Sequence, residues 1–139
     1  MNKVISKEIF IKNKIKTPKF FSLKKKYDKK KVIRYLNSKK VKLPIVLKPT
    51  NEGSSLGVEI CKDKKKMFKK IDFLLKRYSE IILEEYIAGQ EIQVAVINGN
   101  PIGAIELIPK RLFYDYKAKY TKKAKTEHVM PAKLNKKKY

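Results

Sequence analysis

The sequence predicts an α+β fold, a mixed or antiparallel sheet with helices packed on one face. Three observations carry that expectation. Apolar residues at helical spacing alternate along the chain with short β-branched runs. Asp28 and Asp63 stand immediately ahead of two of the helical stretches, where a short acidic side chain can cap free backbone N–H groups. Asn98-Gly99 separates two alternating runs, which is the strongest short-range signal for a hairpin.

The elements follow in order. From Lys3 to Lys14, Val4, Ile5, Ile9 and Ile11 fall among polar positions and read as a helix, which Pro18 ends. Lys19–Leu23 (KFFSL) reads as a short strand. Asp28 opens a second helix through Ser38, with Val32, Ile33, Tyr35 and Leu36 as its apolar face. Pro44–Lys48 is a strand, and the stretch from Pro49 to Gly57 is a loop. The chain returns as a strand over Gly57–Cys61 (GVEIC). Asp63 caps a third helix bearing Met67, Phe68, Ile71, Leu74 and Leu75. Ile81–Tyr86 is a strand, followed by the turn at Ala88-Gly89-Gln90. Glu91–Ile97 and Ile102–Ile108 form the hairpin around Asn98-Gly99, and Glu127–Met130 is a last strand. Between them, residues 110–125 form a long aromatic and basic loop, too long for a mere connector.

At 139 residues the chain supports a modest core. No apolar run approaches the roughly 18 residues of a membrane span, and the lysine-strewn N-terminus does not read as a secretory signal. A single cysteine, Cys61, excludes an internal disulfide framework and fits a reducing compartment, so cytoplasm is the expected location. The formal net charge of +23 suggests an anionic partner at first sight. Only three of the 36 basic residues are arginine (Arg34, Arg77 and Arg111), which is poor equipment for bidentate reading of phosphates and bases. Nucleic acid is therefore not the favoured partner. Ser79 to Pro109 contains neither lysine nor arginine but holds Glu80, Glu84, Glu85, Glu91 and Glu106, and that window is where the sequence is constrained.

Lys48 ends an apolar strand, so its ammonium emerges at the mouth of a sheet. The loop that follows, NEGSSLG, offers two glycines for close backbone approach and the hydroxyls of Ser54 and Ser55. A point charge beside such a loop suits a polyphosphate, and a hairpin with a surface lysine is the plainer reading of the same residues. The arrangement is not a P-loop, whose lysine follows the glycines. Glu84 and Glu85 are adjacent, so on a strand they point to opposite faces. Glu91 opens the next strand, where a carboxylate can accept hydrogen bonds from ribose hydroxyls or stand solvated on an edge. FYDYKAKY, residues 113–120, reads as a nucleic-acid-stacking segment, as a lid over a phosphate, or as a self-packed surface loop. His128 has no Cys or His neighbour, so a zinc site is not expected, and Cys61 lacks a local base.

Taken together, VLKPTNEGSSLGV, LEEYIAGQE and FYDYKAKY followed by TEHVMPA, in this order and spacing, closely resemble the D-alanine–D-alanine ligase family of the ATP-grasp superfamily. The opening MNKVISK resembles the start of that family's central segment, with Asn2 in place of its usual aspartate. The resemblance covers almost the whole chain. It implies that Lys3 and Lys48 contact the phosphates of ATP, and that Glu52, Gly53, Ser55 and Gly57 belong to the glycine-rich loop covering them. It implies that Ser54 helps organise the D-alanine site, and that Glu84 lies at the adenine pocket with Glu85 and Ile87 as its hinge. Glu91 corresponds to the ribose-binding glutamate. Lys119 and Tyr120 correspond to mobile-loop residues, the lysine near the transferred phosphate and the tyrosine linked to Ser54.

The implied chemistry phosphorylates one D-alanine carboxylate and joins it to the amine of a second, with ATP and magnesium as cofactors and D-alanyl-D-alanine for peptidoglycan as product. On the same resemblance, residues 1–48 begin the central subdomain, residues 49–109 hold the phosphate loop, sheet and adenine hinge, and residues 110–139 hold the mobile loop and the start of a C-terminal subdomain. The family's enzymes are more than twice as long. The chain is therefore expected to be a fragment, lacking an N-terminal domain and the metal-binding Asp, Glu and Asn, with no metal ligand of its own. Catalysis would then need the missing parts from another chain, and the expected partners are ATP, D-alanine and complementary ligase chains or a homodimer. The competing expectation is a non-catalytic basic protein that binds nucleotide or nucleic acid through its lysines.

Overall fold

The computed structural model describes residues 2–109 and 126–134. These form two compact units, Met1–Ile87 and Ala88–Tyr139.

The first unit contains three helices, α1 (Lys3–Lys12), α2 (Lys29–Ser38) and α3 (Lys64–Arg77), and four strands, β1 (Phe20–Lys24), β2 (Ile45–Pro49), β3 (Glu59–Cys61) and β4 (Glu80–Glu85). Each helix starts on a capping side chain. Asn2 accepts from Val4 N at 2.9 Å, Asp28 from Lys30 N at 2.7 Å, and Asp63 from Lys66 N at 2.8 Å. The strands form one antiparallel sheet in the order β1-β4-β2-β3, so β4 is an inner strand although it comes last in sequence.

Alternation along the strands separates the two faces of this sheet. One face carries Leu23, Ile45, Leu47, Cys61, Ile81 and Leu83, and these form a single core with Val32 and Leu36 of α2 and Met67, Ile71, Leu74 and Leu75 of α3. Two tyrosines close the edges of that core. Tyr35 stacks on Phe21 with ring centroids 4.8 Å apart and donates to Phe20 O at 2.6 Å, while Tyr27 donates to Asp72 at 2.8 Å. The other face carries Phe20, Val46, Lys48, Ile82 and Glu84, and it receives side chains from α1.

The α+β class expected from the sequence is the class observed, with every strand pairing antiparallel. The first helix forms where the sequence predicts one, and its burial is unusual. Ile5, Ile9 and Ile11 are exposed, and the buried residue of α1 is Lys7. Lys7 faces the sheet and meets a charged partner there.

The second unit is a three-stranded antiparallel sheet in the order β5-β6-β7, with β5 at Glu91–Ile97, β6 at Asn100–Ile108 and β7 at Glu127–Val129. Asn98 and Gly99 both adopt positive φ, 49° and 79°, as a two-residue turn between twisted strands requires. Glu106 is buried and accepts from Gln90 Nε2 at 2.9 Å. Among the described residues no helix is long and apolar enough to cross a membrane.

The loop between β2 and β3 is held by close backbone approach. Gly57 has φ +71°, and a Cβ at that position would meet Pro49 Cγ at 2.7 Å and the Tyr78 hydroxyl at 3.2 Å. Gly57→Ala should therefore cost about 2–4 kcal/mol, combining left-handed strain with overpacking. Urea denaturation would register this as a lower midpoint, and an unchanged midpoint would mean that the loop has room to move.

Candidate functional site

Antiparallel pairing sets Val46 opposite Glu84 and Lys48 opposite Ile82. Lys48 and Glu84 are thus diagonal neighbours on one face of adjacent strands, close enough for long side chains to meet. They form an ion pair between the Lys48 ammonium and Glu84 Oε2. From above the same face, Lys7 of α1 donates to Glu84 Oε1 at 2.6 Å and to Thr17 Oγ1 at 2.6 Å. The Lys7 ammonium also lies 5.1 Å from the centre of the Phe20 ring. Glu84 is 4% exposed and Lys7 6%, so this is a buried pair, whereas the Lys48 side chain retains 30% exposure. Although Oε2 touches the Lys48 ammonium, no hydrogen bond of good geometry reaches that oxygen among the described residues.

Lys3 completes the cluster one helical turn from Lys7. Its backbone N–H donates to Thr50 O at 3.0 Å, and its ammonium donates to Thr50 O at 3.5 Å and to Glu52 O. Burial, and then the neighbouring Lys48, hold the Lys3 ammonium below its ordinary pKa, with Glu52 and Glu84 opposing the shift. Positive charge is therefore in excess at the point where the β2–β3 loop begins, which is the electrostatic condition for receiving an anion.

The loop itself is unusual backbone. Ser54 and Ser55 adopt positive φ, 49° and 61°, ahead of Gly57, and Gly53 O accepts from Leu56 N at 2.9 Å. Left-handed residues in sequence are uncommon for non-glycine side chains and recur where backbone N–H groups form an anion cradle. Thr50 anchors the loop's start, donating to Glu80 O through both N–H and hydroxyl.

The structure thus brings together Lys3, Lys48 and Glu84, and joins Glu52, Gly53, Ser54, Ser55 and Gly57 to them through the Lys3 contacts and the loop. Glu85 faces away from Glu84, where its Oε2 accepts from Lys19 N at 3.4 Å, and Ile87 is exposed. Glu91 opens β5 in the second unit. Lys119 and Tyr120 lie outside the described residues.

Lys7 and Thr17 were missing from the sequence-based set. The signal for Lys7 lay in its spacing from Lys3, since residues four apart share a helix face. An open groove of about 630 Å³ between α2 and α3, lined by Lys29, Lys30, Ile33, Arg34 and Phe68, belongs to the helical side of the sheet and has no part in this cluster.

Cys61 stays a core residue. Burial, reinforced by the Glu59 carboxylate, pushes its thiol up to about 11 from 9.0, so it is protonated and inert at neutral pH. The unfolded thiol ionises at a lower pH than the folded one. This contribution to stability is therefore present below pH 9 and is lost as pH rises from 9 to 11. Denaturation curves of the wild type and of Cys61→Ala should accordingly converge over that range by about 2 kcal/mol. Parallel pH profiles would show that the thiol is not held neutral by the fold.

Among the described residues there is no group of three or more His, Cys, Asp and Glu that could hold a metal ion.

Comparison with known proteins identifies the family. The family model described as "D-ala D-ala ligase C-terminus" matches residues 9–139. A D-alanine–D-alanine ligase of Pelagibacter ubique is 52% identical over 98% of this chain and 44% of its own length. A crystal structure of D-alanine–D-alanine ligase from Bacillus anthracis superposes with a TM-score of 0.73 at 32% identity, over 96% of this chain and 42% of that one. A structure of the Bacillus anthracis ligase complexed with ATP superposes with a TM-score of 0.70 at 25% identity, over 96% and 40% of the two chains. The chain thus spans less than half the length of these relatives. With its α+β fold and its lysine-flanked loop, the chain belongs to the D-alanine–D-alanine ligase family, within the region that the family's C-terminal model describes.

Proposed function

We propose that this chain forms the nucleotide-binding portion of an ATP-dependent D-alanine–D-alanine ligase. The observation that carries this reading is the excess of lysine charge around Glu84 at the mouth of a glycine- and serine-rich loop. Lys3 and Lys48 bind the phosphates of ATP, and the loop from Glu52 to Gly57, with Gly53 and Ser55, closes over them. Glu84 borders the adenine, with Glu85 and Ile87 as the hinge, and Glu91 receives the ribose. The relative of known structure complexed with ATP supports the choice of nucleotide.

In the reaction so assigned, a carboxylate oxygen of one D-alanine attacks the terminal phosphorus and ADP leaves. The amine of a second D-alanine then attacks the acylphosphate carbon, phosphate departs, and the amine gives up its proton. Lysine charge stabilises the phosphate oxygens, and positioning supplies much of the remaining rate. Ser54, Lys119 and Tyr120 act around the first D-alanine and the transferred phosphate, and a closed loop excludes water from the acylphosphate. Magnesium would neutralise phosphate charge when bound. The setting is the cytoplasm, and the product is a peptidoglycan precursor.

Calorimetric titration of ATP into the purified chain, with Lys48→Ala as control, tests this reading. Saturable binding that the substitution removes is the expected result. A folded chain that binds no ATP would overturn it.

A further inference from the structure

We propose that Lys7 is a positioning residue whose task is to neutralise Glu84 so that Lys48 stays available to a polyphosphate ligand. The inference rests on the nucleotide-binding reading above and adds a residue that does not itself reach the ligand.

Lys7 is almost fully buried, and its ammonium is committed to Glu84 Oε1, to Thr17 Oγ1 and to the Phe20 ring. It has no remaining role as a direct phosphate contact. Its effect is on the carboxylate. Glu84 is shared between two ammoniums, one per oxygen: Lys7 holds Oε1, and Lys48 lies against Oε2 without a well-formed hydrogen bond. The first lysine is locked and the second is partly exposed, so the second is the one free to turn toward an incoming anion.

Without Lys7, a buried carboxylate would have Lys48 as its nearest counter-charge, and releasing Lys48 to a phosphate would strand that carboxylate in a site of low dielectric. With Lys7 in place, the cluster keeps a positive excess and Lys48 can leave Oε2 at small cost.

The test uses the full chain and two probes, ATP and inorganic tripolyphosphate, the second of which has no base or ribose. Lys7→Met should weaken both by at least about tenfold, the scale of one charge-assisted contact. The double variant Lys7→Met/Glu84→Gln, which has no buried carboxylate to strand, should restore tripolyphosphate affinity to near the wild-type value. Because stability alone is also expected to recover in the double variant, affinity is read at saturating folded fraction, with each variant's urea midpoint measured beside it. A purely structural role would move the midpoint and leave the affinity of the folded fraction unchanged.

Two results would overturn the proposal. One is a folded Lys7→Met that binds tripolyphosphate as the wild type does, and the other is a loss that the double variant fails to repair. Should Lys7→Met not fold, the double variant decides alone, because weak tripolyphosphate binding by it contradicts the proposal. A wild type that binds neither probe defeats the nucleotide reading and this inference together, whereas wild-type binding indifferent to Lys7 defeats only the inference.

Discussion

Glu84→Gln is expected to destabilise the folded chain by about 3–5 kcal/mol, the range for removing one member of a buried ion pair. The substitution keeps the shape and loses the charge, leaving the Lys7 ammonium buried beside neutral groups, Thr17 Oγ1 and the Phe20 ring. Lys48 suffers less, because its side chain is partly exposed and can turn to water. Small domains are stable by roughly 5–15 kcal/mol in total, so the variant should sit close to the unfolding threshold. Lys7→Met should cost less than Glu84→Gln, since the remaining carboxylate keeps its Lys48 partner. The double variant should recover much of the loss, giving a coupling energy in a double-mutant cycle of about 1–3 kcal/mol. Urea denaturation followed by circular dichroism provides all four values. Glu84→Gln within about 1 kcal/mol of the wild type would mean that the cluster is hydrated and contributes little.

Lys48→Ala should weaken ATP binding on the order of a hundredfold, equivalent to about 2–3 kcal/mol, the value of a hydrogen bond between charged partners. The chain should remain folded, because Glu84 keeps Lys7 at 2.6 Å and the lost side chain was 30% exposed. This separates the substitution from Glu84→Gln, in which binding and folding fail together. Salt dependence adds a second discrimination. A nucleotide held by a few defined contacts should lose affinity gently between low and physiological salt. Binding of nucleic acid by many exposed lysines should fall steeply over the same interval. Equal ATP affinities for the wild type and Lys48→Ala would remove Lys48 from the site.

The parts of this fold that the sequence revealed are those whose causes are local. Asp28 and Asp63 cap the helices that follow them, and Asn98-Gly99 makes the hairpin turn, because each acts on its own neighbours. The core faces of α2 and α3 could be read from their spacing for the same reason, with Val32, Leu36, Met67, Ile71, Leu74 and Leu75 all buried. The site was only half legible. Lys48 and the loop after it signal themselves, as a charge ending an apolar strand must. Lys7 does not, because its partner Glu84 is 77 residues away and the pair exists only once the sheet has formed. The first helix forms over Lys3–Lys12, but which of its residues is buried was not legible, because Lys7 is selected by a partner on the sheet.

The order β1-β4-β2-β3 has a consequence for how the chain comes into being. β1 and β2 do not touch, and the strand that joins them ends at Glu85. During synthesis, everything up to about residue 79 can form helices and the short β2–β3 ladder but not the full sheet. The arrival of β4 closes the sheet through contacts distant in sequence, the slow kind of contact in folding. That strand also carries Glu84. The event that turns a nascent chain into a stable body is the same one that pins Lys7 and Lys48, so in this unit foldedness and the anion cluster appear together.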